Sequence, residues 1–380
     1  MNLHVEESEL PDDFVSNYKK EKKMKKFAWF LTLILASALV LSACGPAATT
    51  EAPPVVTEPP VVPTEAPTEA PTPTEAPAPE PFRVAVVMPS AINDLAFSQS
   101  MYDALVRVQE SMGGPEAFDF VYSEGMFVVD DAAAAIRDYA SQGYNLVIAH
   151  GSQYGSSLQE IAPDFPETSF AWGTTVDTFG MPNVFAYEAA SQQGGYVNGV
   201  LAATLSTSKV IGVVGPIETG DAKLYVDGFK AGVAATNPEV TVNVNYIGSF
   251  SDTALAAEAA NTHIAAGADV MTGTAQMVVG AIGKAEEANV LWFGTQSNQS
   301  SLAPSIVVAS QVYHWEVALN EMISLIQGGT LGGQSFAINL ANGGEVVEYN
   351  SDYALPADAK ALADSTVQGI IDGSITITLP

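Results

Sequence analysis

From Phe82 onward, short apolar and β-branched runs alternate with helix-patterned stretches of roughly 10 to 16 residues, and the series occurs twice. The run Arg83 to Met88 (RVAVVM), ended by Pro89, has the character of a strand buried on both faces, as strands of parallel sheets are. The first series places strands at 83–88, 117–122, 145–149, 168–172 and about 184–187. Its helices fall at 96–112, 129–142, 153–162 and 190–206. The second series places strands at 209–214, 241–247, 269–272 and 290–294, with helices at 221–236, 252–266 and 276–288. A return segment at 304–313, a helix at 314–328 and strands within 335–349 follow. Such alternation demands βαβ units with helices on both faces of parallel sheets. Two series of similar length imply an α/β fold of two Rossmann-like lobes joined by a hinge. The first lobe is expected to span 82–190 and about 305–335, and the second 191–304 and about 336–380.

Ahead of this body stands the one cysteine of the chain, Cys44, which closes the run Leu41-Ser42-Ala43-Cys44. Lys25 and Lys26 supply a positive start and Phe27 to Leu41 an apolar stretch. The stretch is short for a spanning helix and right for a signal peptide. Residues 1–43 are therefore expected to be a signal peptide, with Met24 a better start than Met1, and Cys44 the lipidated residue. The competing reading is a short membrane anchor with an incidental cysteine. With no second cysteine, no internal disulfide forms.

Residues 45–81 contain 12 prolines and 6 glutamates among 37 positions. Such a composition buries no core and favours an extended, polyproline-like chain. With Cys44 it is expected to act as a disordered linker, either a spacer for the globular head or a neutral tail. At about 3.1 Å per residue it would reach on the order of 100 Å.

Of the 14 basic residues, six lysines lie within 19–26, and the chain carries a net charge of −29. Nucleic acid needs a basic face to meet its phosphates, so it is excluded as a partner. Electrostatic docking to anionic lipid is disfavoured too, leaving acyl chains as the expected attachment to the extracytoplasmic face of the cell membrane. A monomer is expected.

A tethered two-lobed α/β body suggests a receptor that captures a ligand in the cleft beyond the carboxyl ends of its strands. The loops after strands are therefore the candidate site. The first holds Asn93, Asp94 and Phe97, where Asp94 could equally cap the following helix. A later one runs from His150 to Tyr154. In the second series these loops contain Gly215 to Asp221, Phe250, Thr274 with Gln276, and Gln296 with Asn298. Neutral amides and hydroxyls with single aromatics suit a flat, uncharged heterocycle better than a phosphate or carboxylate. The nearest approach to a phosphate loop, Gly215 to Gly220, is followed by Asp221 and Ala222 instead of Lys and Ser or Thr. An aspartate there would repel phosphate.

These residues resemble the basic membrane protein family, the substrate-binding lipoproteins of ABC importers. The resemblance is carried by Asn93-Asp94-x-x-Phe97-x-Gln99, Tyr196-x-x-Gly199, Gly228-Phe229-x-x-Gly232, Gly267-Ala268-Asp269 and the run Gly294 to Gln299, from about Phe82 to at least Gly328. It implies a type I periplasmic-binding fold, a purine nucleoside or related ligand, and a permease and ATPase as partners. It also implies that Phe97 and Phe250 sandwich the base, with Asn93 and Asp94 at its polar edge. Nucleoside-binding members usually carry an aspartate in the loop at 294–299 and a lysine after the return strand, both serving the ribose. Here Gln296 and Asn298 stand in that loop, and Val312-Tyr313-His314-Trp315 where the lysine is expected. A free purine base is therefore favoured over a nucleoside. The expected ligand-binding set is Asn93, Asp94, Phe97, Tyr154, Phe250, Thr274, Gln276, Gln296, Asn298 and Tyr313.

Catalysis is not expected. The histidines His4, His150, His263 and His314 form no metalloprotease or hydrolase motif, and neither a metal nor a cofactor is anticipated. His263 reads as a packing residue, and acid pairs such as Asp130-Asp131 as solvated helix faces. The rivals that remain are a sensory receptor of the same fold, a binder of a non-purine small molecule and a structural surface lipoprotein.

Overall fold

The computed structural model describes residues 80–379. The expected signal peptide, the lipidated Cys44 and nearly all of the proline-rich segment lie outside the described residues. Strand β1 (Phe82–Val87) shows how the core is made. All of it but Arg83 is buried. Val84 and Val86 join Met101, Leu146, Ile148 and Phe185 in one apolar cluster. Ala85 and Val87 join Ile136, Val147, Ala149 and Leu158 in another. Strand side chains alternate between faces, so a run without a polar position must be covered on both. Each fully buried valine here contributes about 1.5–3 kcal/mol.

With β1, strands β2 (Phe118–Ser123), β3 (Leu146–His150), β4 (Ser169–Gly173), β5 (Val184–Ala189) and β11 (Ser335–Ile338) form one sheet. Its order is β11-β5-β4-β3-β1-β2, and all its pairings are parallel. The second sheet contains β6 (Val210–Gly215), β7 (Thr241–Tyr246), β8 (Val270–Gly273), β9 (Leu291–Gly294), β10 (Val307–Tyr313) and β12 (Glu345–Tyr349). Its order, β12-β10-β9-β8-β6-β7, is equivalent, with only β12 antiparallel to its neighbour. The first series of helices is α1 (Phe97–Met112), α2 (Val129–Ser141) and α3 (Gly155–Ile161). Helix α4 (Gln192–Leu205) leads into the second series, α5 (Gly220–Thr236), α6 (Thr253–Ala265) and α7 (Val278–Glu287). Helices α8 (Glu316–Gln327) and α9 (Ala357–Ile371) complete the set. The architecture is the expected α/β one of two parallel-dominated sheets. Among the described residues no helix is long and apolar enough to cross a membrane.

The chain passes between the sheets three times: after β5, after β10 and after β11. Two of these crossings differ from the expected lobe boundaries. Segment 307–313 was expected in the first lobe, yet β10 lies between β9 and β12 in the second sheet. The chain returns only at Trp315, whose indole packs in the core of the first sheet with Leu319 and Met322 of α8. Conversely, β11 was placed at the start of the second lobe and is an edge strand of the first sheet, paired with β5. Pairing partners across a long connection are a tertiary choice that strand pattern alone does not encode. Helix α9 was not anticipated, because its buried positions are Ala359, Ala363, Thr366 and Gly369, too small to mark an apolar stripe.

Candidate ligand-binding cleft

Parallel strands deliver their following loops to one end of a sheet, and here the loops of both sheets meet. They surround a narrow cavity whose free interior is about 30 Å³. Pro89 and Phe97 reach it after β1, Phe127 after β2, Gly151 to Gln153 after β3 and Thr174 after β4. From the second sheet come Thr219, Asp221 and Ala222 after β6, Phe250 after β7, Ala275 and Gln276 after β8, and Gln296 after β9. Bonds across the cleft join the two faces: Ser297 Oγ donates to the Ala96 carbonyl at 2.9 Å and Gln299 Nε2 to the Leu95 carbonyl at 3.2 Å. The Thr174 hydroxyl donates to Asp221 Oδ1 at 3.1 Å.

Of the residues expected to bind ligand, Phe97, Phe250, Gln276 and Gln296 line this cavity. Phe97 opens α1, and its ring is backed by the buried His150 ring at 3.8 Å and 8° from parallel. The oxygens Gln276 Oε1 and Gln296 Oε1 are buried without a hydrogen-bond partner. Leu95, Ala275 and Gln296 hold left-handed backbone, with φ of 51°, 79° and 69°. Non-glycine residues held so cost roughly 1–3 kcal/mol each and tend to gather where a site constrains the loops.

The other six are elsewhere. Asn93 is exposed beside the cleft rather than in its lining. Asp94 is a cap: its carboxylate accepts from the N–H groups of Ala96, Ser98 and Gln99, which are otherwise orphans of the first turn of α1. Tyr154 is buried in the core behind the loop, its hydroxyl donating to the Met126 carbonyl at 2.7 Å. Thr274 is buried with its hydroxyl unpartnered, but outside the lining. Asn298 points outward and donates to Glu348 at 2.7 Å. Tyr313 stands one layer back, its hydroxyl bonded to Asp221 at 3.1 Å and to Ser191 at 2.6 Å. Polar residues in a loop after a strand can face cavity, core or solvent, and loop composition does not say which.

Asp221 is the main residue that sequence reasoning missed. It sits in the first turn of α5, 7% exposed, and accepts from Thr174, Tyr313 and, at 3.4 Å, Gln296 Nε2. The cleft thus does hold a carboxylate, supplied by a different loop from the one expected. The signal was its place after Gly220 at a helix start, which invites comparison with a phosphate loop and not with a ligand contact. Burial raises its pKa above the usual aspartate value, against the hydrogen bonds from Thr174, Tyr313, Gln296 and Ala222. Among the described residues no lysine, arginine or histidine lines the cavity. Burial, opposed by bonds from Gln311 and Gly194 and reinforced by the Asp221 charge, pushes the nearby Glu345 up to about 8. His150 is driven the other way, to about 3, by complete burial, so the imidazole is neutral. The Phe97 carbonyl can only accept, so Nε2 carries the proton at 3.1 Å and Nδ1 accepts from the Tyr187 hydroxyl at 2.7 Å.

The helix carrying Asp221 is set by glycines. A Cβ at Gly232 of α5 would lie 2.1 Å from the Tyr196 carbonyl oxygen of α4, and one at Gly199 of α4 2.2 Å from that of Phe229. The two helices approach backbone to backbone, and only glycine permits it.

Residues 82–377 match the family Bmp, described as ABC transporter substrate-binding protein PnrA-like. The chain belongs to the Bmp family. This Bmp protein is therefore a member of a family of transporter substrate-binding proteins rather than of enzymes. It is 25% identical over 296 residues to a purine-binding protein of Brucella abortus, covering 78% of this chain and 83% of that one. It is 26% identical over 262 residues to the transcriptional activator protein Med of Bacillus subtilis, covering 69% and 80%. A solved ABC transporter solute-binding protein from Aeropyrum pernix shares its fold at a TM-score of 0.67 and 20% identity, over 79% of this chain and 94% of that one.

Proposed function

We propose that this Bmp-family protein is a lipid-anchored, extracytoplasmic substrate-binding protein of an ABC importer. It captures a purine-type small molecule between its two sheets, a free base in preference to a nucleoside, and delivers it to a permease. One observation carries the proposal: Phe97 and Phe250, from opposite sheets, line the same cavity as two buried amide oxygens that lack partners. Aromatic faces suit a flat ring, and unpaired acceptors suit the N–H groups on its edge. Preference for the free base is supported by the loop at 294–299, of which only Gln296 reaches the cavity, while Asn298 faces away.

A nucleoside is the second reading, favoured by Asp221, whose carboxylate could accept from ribose hydroxyls. A sensing role with the same cleft is consistent with the relative named as a transcriptional activator. A thermal-shift titration with adenine, guanine, hypoxanthine, adenosine, guanosine and inosine tests the ligand class. Ligand at a hundred times its dissociation constant adds about 2.7 kcal/mol of stability. Stabilisation by bases alone supports the proposal, by nucleosides alone transfers it to the second reading, and by none of the six overturns the purine class.

A further inference from the structure

Three acceptors stand on the buried side of the cleft: Gln276 Oε1, Gln296 Oε1 and the Asp221 carboxylate. Among the described residues no cationic side chain joins them in the lining. The wall therefore asks for donors. An ionised carboxylate offers about four acceptor positions and no donor. Asp221 receives Thr174 on Oδ1 and Tyr313 on Oδ2 at 3.1 Å each, with the Ala222 N–H also bonding. The remaining bond, from Gln296 Nε2, is long at 3.4 Å, the one a better donor would displace or share.

We infer that Asp221 determines specificity by accepting a hydrogen bond from an amino group on the purine, so that the cleft selects aminopurines over their oxo counterparts. The inference rests on the purine reading above and names the class within it. At C6 an oxo-purine presents a carbonyl where adenine presents an amino group, and the donor it gains instead, N1–H, lies at the neighbouring ring position. Against a carboxylate and two amide oxygens that carbonyl would be left unpaired beside like charge, which a buried site penalises heavily. A ribose offers no such distinction, because its hydroxyls both donate and accept. Thr174 and Tyr313 fix the carboxylate from either side, one from the first sheet and one from the return strand β10.

The test is calorimetric titration of the purified protein with adenine and hypoxanthine, which differ at C6 and, with it, at N1 (an acceptor in adenine, an N–H in hypoxanthine), and with adenosine and inosine, which differ in the same way but carry the sugar. Wild type is expected to bind adenine at least about tenfold more tightly than hypoxanthine, a comparison that needs no substitution. Asp221→Asn, whose amide can donate, is expected to weaken adenine by about tenfold or more and to erase or invert the ratio. The melting temperature of the ligand-free variant checks that it folds, and Asp221→Ser serves in its place if it does not. Equal binding of the two bases by wild type overturns the inference while purine binding stands. So does a ratio unchanged in the variant. Equal losses for adenosine and inosine would assign Asp221 to the sugar and overturn it too. If no purine binds, but an aromatic amine does, the purine reading itself falls and the inference with it.

Discussion

The His150 ring lies flat against the Phe97 ring, centroids 3.8 Å apart, and the same imidazole donates to the Phe97 backbone carbonyl. One histidine thus holds both the ring and the main chain of a cleft residue. Trp315, packed edge-on to both rings, closes the group from the segment that follows β10. One face of Phe97 is covered by His150, and the residue still lines the cavity. His150→Phe keeps a stacking ring but leaves the Tyr187 hydroxyl unpaired, while the Phe97 carbonyl keeps its bond from Ser100 Oγ at 2.8 Å. It is expected to cost about 1–3 kcal/mol of stability by urea unfolding. His150→Ala, which also removes the ring, should cost more and weaken ligand binding. Equal losses in the two variants would show that the stack contributes nothing.

Two buried groups give stability opposing slopes with pH. His150 has a folded pKa of about 3 against an ordinary 6.5, so between those values the unfolded chain binds the extra proton. Stability therefore rises with pH across that window and its share is lost as pH falls. Glu345 is held at about 8 against an ordinary 4.5, so between 4.5 and 8 the folded chain binds the extra proton, and stability falls as pH rises. The two slopes oppose each other from 4.5 to 6.5, which predicts a plateau there and a decline above. Glu345→Gln should flatten the decline between pH 6.5 and 8 in a series of urea unfolding curves. An unchanged decline would place its cause elsewhere.

Phe97 and Phe250 belong to different sheets, so a ring between them engages both halves of the molecule. Phe97→Ala and Phe250→Ala are each expected to weaken purine binding by about 1–3 kcal/mol, the range for removing a base-stacking aromatic. Phe97→Ala should also lower stability, since its ring is buried against His150, whereas half-buried Phe250 should lower it less. Unchanged affinity in both variants would refute stacking.

Strand and helix order was legible because a run such as RVAVVM admits no exposed face, and because helices of similar length separate such runs. Phe97, Phe250, Gln276 and Gln296 were legible by position, since parallel strands put their following loops at one end. What could not be read was side-chain direction. Asp94 and Asp221 both stand near a helix start, yet one accepts orphan N–H groups and the other lines the cleft. The difference lies in what is brought against each: Thr174 from the opposite sheet and Tyr313 from β10 of its own sheet converge on Asp221, and neither is near it in sequence. Likewise β10 reads as a strand, but its neighbours are chosen by a fold-level pairing.

The proposed lipid anchor rests on Cys44. Cys44→Ser should move the protein from the membrane fraction to the soluble or secreted fraction, and should leave purine affinity unchanged. Retention in the membrane fraction would favour the uncleaved apolar stretch as the anchor.

Gly232 of α5 and Gly199 of α4 form a reciprocal contact, each facing a carbonyl of the opposite helix. A methyl group at either site would sit within 2.2 Å of backbone oxygen, and a backbone cannot rotate aside as a side chain can. Gly232→Ala is expected to separate the helices and cost about 1–3 kcal/mol or more, the usual range for overpacking. Because the same helix begins with Gly220 and Asp221, its displacement should carry the carboxylate away from Thr174 and Tyr313. Purine affinity should then fall along with stability, although Gly232 is three turns from the cleft by helix count. A matched surface control, Ala234→Gly in the same helix, lowers helix propensity by about 1 kcal/mol without pushing the helices apart. Loss of affinity in Gly232→Ala but not in the control would show that glycine-mediated packing positions Asp221. Equal affinity in both would confine these glycines to stability.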